Sequence, residues 1–260
     1  MLICPVCGAP LTFCNGAMRC EKRHSFDVAK EGYVNLLRSN RSGDRIGDDK
    51  FSARSRRDFL NKGYYAPLQN ALRREFAGKT GALLDICCGE GYYTAALGEN
   101  PALSVYGFDI SREMVRLAAK RGKGQYFVAN MAAIPVPDGA FDYATHLFAP
   151  FNEGEFARIL KPGGRLYTVV PGARHLFGLK KAVYDTPYEN DEVLPETKTL
   201  RFVGRQKVTA KVTLACQEDI QAVFRMTPYY FHTSPADQEK LLPLDSLETE
   251  LEFVIGIYEK

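Results

Sequence analysis

The sequence predicts a doubly wound α/β domain with a mostly parallel sheet, preceded by a small cysteine-bearing module. Two observations lead to this prediction. Short apolar runs alternate with amphipathic stretches from Ala82 onwards, as in a parallel sheet covered by helices on both faces. Four of the seven cysteines lie within the first 20 residues. We therefore divide the chain into a front module (1–37), a polar connector with two short helices (38–78) and an α/β domain (79–260).

The composition is that of a globular protein with a sizeable buried core. Of 260 residues, 45% are hydrophobic and 25% are charged, which argues against disorder or a fibrous repeat. No apolar run approaches the ~20 residues that a membrane-spanning helix needs. The first residues have neither the basic segment nor the long apolar stretch of a signal peptide. We therefore expect a cytoplasmic chain without membrane contact that keeps its thiols reduced.

The front of the chain is basic. Residues 1–74 carry 14 Lys/Arg and 7 Asp/Glu, a formal charge of +7, whereas residues 75–260 carry 20 and 24, a charge of −4. This concentration of positive charge would attract a polyanion. Nucleic acid is one candidate, because neutralisation of its phosphates supplies much of the affinity of proteins for it. A solvated basic surface without a partner fits the charge equally well. The candidates for a phosphate track are Arg19, Lys22, Arg23, Arg54, Arg56, Arg57, Arg73 and Arg74.

Three cysteines and a histidine in the front module have the spacing of a zinc site. Cys4 and Cys7 form a C-x2-C pair, and Cys20 and His24 follow twelve residues later as C-x3-H. Two such pairs, called knuckles, can bring four ligands together around Zn²⁺. Because the protein fills all four coordination positions, we expect a structural metal. A module this short needs the metal to fold. The alternatives are buried free thiols, a redox pair, or a four-cysteine site in which Cys14 replaces His24.

Apolar periodicity and capping residues predict the elements behind the module. The connector holds a helix over 50–61 and a second one spaced by Leu68, Leu72 and Phe76. The predicted strands cover 82–86, 105–109, 126–129, 141–146, 165–170, a stretch near 207–214, and 251–258. The helices between them cover about 91–99, 112–121, 153–160, 174–184 and 217–226, with Ser111 as the N-cap of the second.

A glycine-rich turn follows the first strand of the α/β domain, where a doubly wound sheet opens to receive a nucleotide-like ligand. Glycines there let the backbone approach the ligand closely. An acid at the end of the second strand can hold both hydroxyls of a ribose, and the residues after the third strand can meet the edge and face of an adenine. The residues expected at this site are Asp85, Gly89, Gly91, Asp109, Asn130 and Met131.

This pattern resembles the class I S-adenosylmethionine-dependent methyltransferases over residues 80–171. The matching features are Asp-x-x-x-Gly-x-Gly from Asp85, the acid Asp109, and Leu-Lys-Pro-Gly-Gly-Arg-Leu over 160–166. The resemblance implies S-adenosylmethionine as cofactor and a seven-stranded sheet whose last strand is antiparallel, with Lys-Pro-Gly-Gly as the turn into the fifth strand. One departure is Cys87, where the family usually has glycine, so a Cβ must fit beside the cofactor or tilt the turn.

Over nearly its whole length the chain resembles the 23S ribosomal RNA (guanine-N1)-methyltransferases. The matching segments are the Cys/His front, Lys-Glu-Gly-Tyr-Val-Asn-Leu-Leu over 30–37, Gly-Glu-Gly-Tyr-Tyr-Thr over 89–94, Phe-Ala-Pro over 148–150 and Pro-Gly-x-Arg-His-Leu over 171–176. The resemblance implies methylation of one guanine in a hairpin loop of the large-subunit RNA, and commonly a homodimer. The family's cofactor contacts match Tyr65, Gly89, Glu90 and His175. The zinc module would then be an RNA-positioning arm on a mobile linker over 38–45.

The segment after the fourth strand bears on which atom is methylated. Methyltransferases of this fold that act on exocyclic amino groups carry an Asn/Asp-Pro-Pro-aromatic motif there, whereas this chain has His-Leu-Phe-Ala-Pro-Phe over 146–151. A ring nitrogen is therefore favoured. Guanine N1 loses a proton as the methyl arrives, and His146 is our first candidate for the proton acceptor, ahead of His175 and Glu90. The candidates for stacking on the base, each of which also fits ordinary core packing, are Phe148, Phe151, Tyr229, Tyr230 and Phe231.

Two rival functions share these motifs. A small-molecule methyltransferase of the menaquinone or ubiquinone type has the same core, but it needs neither a zinc module nor a basic front. A non-catalytic RNA-binding module would have kept the fold while Cys87 spoiled the cofactor turn. Salt-dependent binding to a ribosomal hairpin tests the first rival, and titration with S-adenosylmethionine tests the second.

Overall fold

The structure, a computed structural model, describes residues 1–37 and 50–260, with side chains in the second range from residue 54 onwards. The predicted linker over 38–45 lies outside the described residues. The front module contains a three-stranded antiparallel sheet of β1 (Thr12–Cys14), β2 (Ala17–Arg19) and β3 (Ser25–Asp27). Its next strand, β4 (Val34–Asn35), belongs instead to the large sheet.

Two helices and the rest of the large sheet follow. The helices are α1 (Lys50–Asn61) and α2 (Ala66–Glu75), where the sequence predicts them. The remaining elements are β5 (Gly81–Ile86), α3 (Tyr92–Leu97), β6 (Leu103–Asp109), α4 (Arg112–Arg121), β7 (Gln125–Val128), β8 (Phe141–Leu147), α5 (Glu153–Ile159), β9 (Leu160–Pro171), α6 (Phe177–Val183), β10 (Arg201–Leu214), α7 (Gln217–Arg225), α8 (Tyr229–His232), α9 (Pro235–Glu239) and β11 (Leu247–Glu259). Ser111 caps α4 as predicted, since its hydroxyl accepts the Met114 N–H at 3.4 Å.

The strand order of the large sheet confirms the predicted fold class. The order is β10-β11-β9-β8-β5-β6-β7-β4, and the last strand, β11, is antiparallel to both of its neighbours. All pairs from β9 to β4 are parallel. Seven strands come from the α/β domain, as the resemblance implies. The eighth is the two-residue β4 of the front module, which pairs with β7.

The turn into the fifth strand of the α/β domain differs from the expected one. Strand β9 begins at Leu160, so the Lys-Pro-Gly-Gly segment lies inside the strand rather than before it. The pairing passes from Phe141↔Leu160 to Tyr143↔Arg165, so four residues of β9 bulge against one residue of β8. Within the bulge Gly163 has φ +75°, which glycine adopts without steric cost.

The front module is anchored to the large sheet by backbone hydrogen bonds. Besides the β4–β7 pairing, the Leu36 N–H donates to the Val128 carbonyl at 2.9 Å and the Ile3 N–H donates to the Pro135 carbonyl at 3.0 Å. The buried cysteines of the module belong to the same apolar cluster as residues of β6 and β7. The chain therefore joins the sheet edge before the connector begins.

The large sheet separates two apolar cores. Leu83 and Val105 belong to one core, and Leu84 and Phe108 belong to the other, because successive side chains of a strand point to opposite faces. The carboxyl ends of the parallel strands meet at one edge, where open α/β sheets bind their ligands. Among the residues that the structure describes, no helix has the length and apolar character needed to cross a membrane.

Candidate functional site

The predicted metal ligands form a cluster with the dimensions of a tetrahedral zinc site. The Sγ atoms of Cys4 and Cys20 lie 3.4 Å and 3.3 Å from His24 Nδ1. Cys7 Sγ lies 3.7 Å from Cys20 Sγ, and all four ligand atoms lie within 4.8 Å of one another. Ligands at Zn–N and Zn–S distances of about 2.0–2.3 Å stand roughly 3.4–3.7 Å apart along the edges of a tetrahedron. The residues present therefore fit Zn²⁺.

Cys14 lies outside this cluster. It is exposed at the end of β1, where it pairs with Ala17 across the hairpin, so the four-cysteine alternative does not match the structure. The inclusion of a histidine nitrogen, aimed at two thiols, favours a metal over free thiols or a redox pair. Backbone turns build each knuckle: the Gly8 N–H donates to the Cys4 carbonyl at 2.8 Å, and the Arg23 N–H donates to the Cys20 carbonyl at 3.0 Å.

The predicted cofactor turn after β5 is left-handed at three positions. Cys87, Gly89 and Gly91 have φ of +56°, +56° and +80°. A Cβ added at Gly91 would lie 2.8 Å from Ala118 Cβ on α4, so this position has room only for glycine. A Cβ added at Gly89 would meet nothing within 4 Å, so the turn is open on that side. An open glycine cradle at the head of the sheet fits a nucleotide-like cofactor.

The Asp109 carboxylate joins this turn to the end of β6. Its Oδ2 accepts the Gly89 N–H at 3.0 Å, and its Oδ1 accepts the Ser111 N–H at 2.9 Å. The side chain is only partly buried. These bonds hold a negative charge at the mouth of the cradle, which is where the sequence predicts contact with a ribose.

The two residues predicted to meet the adenine follow β7 on the same edge of the sheet. Asn130 is exposed, and its Oδ1 accepts the Ala132 N–H at 2.9 Å, which leaves the side-chain NH₂ as a donor. Met131 is partly buried, and its Sδ lies 3.9 Å from Cys87 Sγ. The Cys87 side chain thus packs beside Met131, and the Cys87 backbone has the left-handed conformation that glycine adopts most readily.

The two other acids of the turn are buried. Asp85 accepts the hydroxyls of Thr94 and Thr145 at 2.5 Å and 2.8 Å, and burial raises the pKa of Asp85 to about 6. Both of its oxygens are therefore used inside the protein. Glu90 is 1% exposed and pairs through Oε2 with Arg121 at 2.5 Å. Its Oε1 has no hydrogen-bond partner among the described residues, so a cationic or N–H group of a bound cofactor would satisfy it.

Substitutions at Cys87 test whether the turn needs its left-handed backbone. Cys87→Gly is expected to change the free energy of unfolding by less than about 1 kcal/mol, because relief of strain opposes a similar loss of chain entropy. Cys87→Val is expected to cost ~2 kcal/mol, because a β-branched residue is disfavoured at positive φ. Urea unfolding measures both changes. Cys88→Val, at a neighbouring position without positive φ, is the control, and an equal cost there would contradict the argument.

A cavity of about 720 Å³ opens at the carboxyl ends of β8 and β9, next in the sheet to β5. A volume of this size accommodates a drug-sized or nucleobase-sized ligand. The structure brings seven of the predicted residues together in its wall, namely Arg56, Tyr65, His146, Phe148, Phe151, His175 and Tyr229. Tyr230 packs against the apolar core instead, and Phe231 is 77% exposed, so neither belongs to this wall.

A hydrogen bond joins Tyr65 and His175 in the cavity wall. His175 Nδ1 accepts the Glu252 backbone N–H at 3.3 Å, which assigns the ring proton of the neutral imidazole to Nε2. The Nε2–H therefore donates to the Tyr65 hydroxyl oxygen at 3.2 Å. The Tyr65 O–H is left as a hydrogen-bond donor at the cavity.

His146 uses both ring nitrogens inside the protein. Its Nε2–H donates to the Pro150 carbonyl at 3.0 Å, so Nδ1 accepts the Thr168 hydroxyl at 3.0 Å. The side chain is 3% exposed. To accept a proton from a substrate, His146 would first have to release Thr168, and its role as a base stays a prediction.

Acidification is expected to destabilise the protein through these two histidines. Burial lowers the pKa of His146 to about 4 and that of His175 to about 3, both below the value of about 6.5 in an unfolded chain. The unfolded state therefore binds more protons in this window, and the free energy of unfolding falls as the pH drops below about 6.5. In urea unfolding, His146→Gln is expected to reduce this pH dependence by about 1–2 kcal/mol.

The difference between variant and wild type is the quantity to compare. Burial raises the pKa of Asp85, so this carboxyl has the opposite effect. Its contribution to the free energy of unfolding increases as the pH falls through about 6. The exposed His232 supplies the matched control, His232→Gln. An unchanged pH dependence in His146→Gln would contradict the prediction.

Several wall residues were not predicted from the sequence, among them Thr168, Tyr188 and Asn190. Thr168 lies within a buried strand, and nothing in the sequence distinguishes it from packing residues. Tyr188 and Asn190 lie in the irregular segment between α6 and β10. The run of polar residues Tyr-Glu-Asn-Asp over 188–191 is the sequence feature that could have marked this segment as part of a site. Phe148, which the sequence did single out, is 46% exposed and has φ +55°, so its backbone is held in a disfavoured region at the cavity mouth.

Two models of known protein families match the chain. The zinc-ribbon model described as "RlmA, N-terminal" matches residues 2–41, and the model described as "Methyltransferase domain" matches residues 83–164. The first range contains the whole metal cluster and β4. The second contains the cofactor turn, Asp109 and Asn130.

Relatives among curated proteins differ in how much of the chain they match. A 23S rRNA (guanine(748)-N(1))-methyltransferase from Streptomyces fradiae is 38% identical over 99% of this chain and 92% of its own length. A putative 23S rRNA (guanine-N(1)-)-methyltransferase from Bacillus subtilis (strain 168) is 31% identical over 93% of this chain and 90% of its own length. A demethylmenaquinone methyltransferase from Anoxybacillus flavithermus is 30% identical but covers 47% of this chain and 58% of its own length. The similarity to the first two therefore extends through the zinc module as well as the α/β domain.

Proposed function

The chain belongs to the family of 23S ribosomal RNA (guanine-N1)-methyltransferases, and from this premise we propose that it methylates N1 of a guanine in a hairpin loop of 23S ribosomal RNA. One observation carries the proposal: the relation to RNA methyltransferases extends over nearly the full chain, zinc module included. The quinone-type relative matches less than half of the chain, so this alternative has less support. Ribosomal RNA as substrate also supports a cytoplasmic location.

S-adenosylmethionine supplies an activated methyl group, and zinc holds the front module together. The chain's own residues bind and orient the reactants. We assign Gly89 and Gly91 to the close approach of the cofactor, and Asp109 to its ribose. Asn130 and Met131 are assigned to its adenine. Asp85, whose oxygens are used by two threonines, would act by shaping the turn rather than by contact.

The cavity beside the cradle is proposed to hold the target base. N1 of a paired guanine is hidden, so the base has to be unpaired in a loop or flipped out before it can reach the methyl group. We assign Phe148 to stacking on the base. Tyr65 is assigned as a hydrogen-bond donor toward bound cofactor or base. This role is supported by its O–H, which has no acceptor among the described residues, and His175 is the residue that orients it.

RNA binding is assigned to the basic front of the molecule. Arg19, Lys22 and Arg23 are exposed on the zinc module, and Arg54 is exposed on α1. Arg73 contributes less, because Glu99 neutralises it at 3.0 Å. The proposal includes a homodimer, as the family resemblance implies, and light scattering of the purified protein tests that part.

Methylation of a defined RNA tests the proposed function. The purified zinc-loaded protein would be incubated with S-adenosylmethionine and transcripts of 23S hairpins, and nucleoside mass spectrometry would identify the product. We expect N1-methylguanine in one hairpin only. In cells that lack the gene, one N1-methylguanine should disappear from 23S RNA.

The same assay separates the alternatives. A quinone-type enzyme would leave every transcript unmodified and show no salt-dependent RNA affinity. A non-catalytic RNA-binding module would bind the hairpin but give no heat on titration with S-adenosylmethionine. Methylation at a guanine atom other than N1 would overturn the assignment of the acceptor while leaving the enzyme class in place.

A further inference from the structure

A lysine is buried behind the wall of the cavity. Lys180, on α6, is 1% exposed, and its ammonium donates to the Tyr188 carbonyl at 3.0 Å and to Asn190 Oδ1 at 2.8 Å. It also lies 3.8 Å and 4.8 Å from the ring centroids of Tyr188 and Tyr229. Tyr188, Asn190 and Tyr229 all line the cavity, so a single layer of side chains separates the ammonium from the cavity.

This ammonium has dipoles and aromatic faces around it rather than a carboxylate. No ion pair of Lys180 occurs among the described residues within 4.0 Å. Asn190 fixes the layer in front of it, because its Oδ1 also accepts the Tyr229 hydroxyl at 2.6 Å while its NH₂ donates to the Gly172 and His175 carbonyls at 3.0 Å and 3.2 Å. A buried charge without a counter-ion is costly to maintain, which makes a purely structural role a poor account of it.

The other charged groups around the lysine leave its field largely uncompensated. Burial lowers the pKa of Lys180, and the attraction of Asp191, which is exposed to solvent, opposes this shift. Glu189 and Glu250 are both paired with Arg174, at 3.0 Å and 2.8 Å. His175 is neutral because burial and Lys180 lower its pKa to about 3, and the neighbouring Lys181 is exposed. Arg56, Glu189 and Asp191 also line the cavity. The two carboxylates are exposed, so solvent screens them, whereas Lys180 is buried.

We infer that Lys180 is a positioning residue whose buried charge favours loss of the N1 proton from the guanine bound in the cavity. This inference rests on the proposed function. In the step considered, the N1–H bond breaks and its proton passes to water; the electron pair on N1 forms the bond to the methyl carbon, and the carbon–sulfur pair returns to sulfur. The base becomes negative before transfer, so a cation one layer away lowers the pH at which it ionises.

The pH profile of methyl transfer distinguishes this role from a structural one. With hairpin transcript and S-adenosylmethionine saturating, the wild-type kcat is expected to rise with pH to a plateau. Lys180→Gln keeps an N–H donor for Tyr188 and Asn190 but removes the charge. It is expected to move the apparent pKa up by about one unit, so that kcat falls about tenfold on the acidic side and converges with wild type on the plateau.

Two lysine variants serve as controls. Lys180→Arg, which keeps the charge, is expected to restore the wild-type apparent pKa, and Lys181→Gln removes an exposed lysine from the next position without changing the profile. If Lys180→Gln does not fold, Lys180→Met gives the same information, because it keeps an unbranched side chain of similar length and removes the charge.

The outcomes separate the inference from the proposed function. A loss of kcat by the same factor at every pH, or an unchanged profile in a folded variant, overturns the role of Lys180 while leaving the enzyme a guanine-N1 methyltransferase. Absence of N1-methylguanine with the wild-type protein overturns the proposed function, and the inference with it. A raised apparent pKa in Lys180→Gln, restored in Lys180→Arg, supports the inference.

Discussion

Removal of zinc is expected to unfold the front module and to weaken S-adenosylmethionine binding at least about tenfold. The module ends in β4, which pairs with β7, and the Ile3 N–H donates to the Pro135 carbonyl. Both contacts brace the segment after β7 that carries Asn130 and Met131. If these residues hold the adenine, loss of the brace raises the dissociation constant. Calorimetric titration of the full chain, before and after treatment with a strong chelator, measures the change.

Cysteine variants provide the matched comparison for zinc removal. Cys20→Ala removes a ligand and should reproduce the effect of the chelator, whereas Cys14→Ala removes an exposed cysteine of the same module and should have none. Hydrogen exchange over residues 1–37 reports whether the module has unfolded. An unfolded module together with unchanged cofactor affinity would contradict the proposed brace.

Asp109→Ala is expected to weaken S-adenosylmethionine binding about 100-fold or more. The variant loses the proposed ribose contact, and it leaves the Gly89 and Ser111 N–H groups without their acceptor, at a cost of about 1–3 kcal/mol for each that stays buried. A cofactor that stabilises the wild-type protein raises its melting temperature by mass action, so this shift should vanish in the variant. Thermal melting with and without cofactor measures it.

A second carboxylate controls for the loss of charge. Asp138 is 82% exposed and pairs with Arg158, which keeps Glu155 as a partner when Asp138 is removed. Asp138→Ala should therefore retain the full cofactor-induced shift. If Asp109→Ala retains it too, the ribose lies elsewhere and the assignment of the cradle has to be abandoned.

Elements with a buried apolar stripe were predictable, and those without one were not. The β5 and β6 strands are buried on both faces, so their apolar runs identify them. Strand β10 starts at Arg201, six residues before the predicted start, because an edge strand with mostly exposed side chains has no continuous apolar signal. Helix α6 starts at Phe177 rather than 174, since Leu176 has φ +56°, which no propensity for leucine predicts.

In the candidate site, too, some residues could be predicted from the sequence and others could not. Residues within one motif, such as the cofactor turn or the paired knuckles, could be predicted because sequence spacing fixes their distance. Contacts between distant segments could not. Tyr65 meets His175 across 110 residues, and the buried Lys180 looks like any helical lysine until the segment around Tyr188 folds over it. Whether Asp85 contacts a ligand or two threonines is likewise a matter of side-chain packing.

The pairing of β4 with β7 also bears on solubility. A strand at the border of a sheet presents unpaired N–H and C=O groups that can recruit strands of other molecules. Here two residues of the zinc module occupy that border beside Phe127 and Val128. When metal is scarce, a loosened module would uncover this apolar strand, so we expect metal-free chains to self-associate.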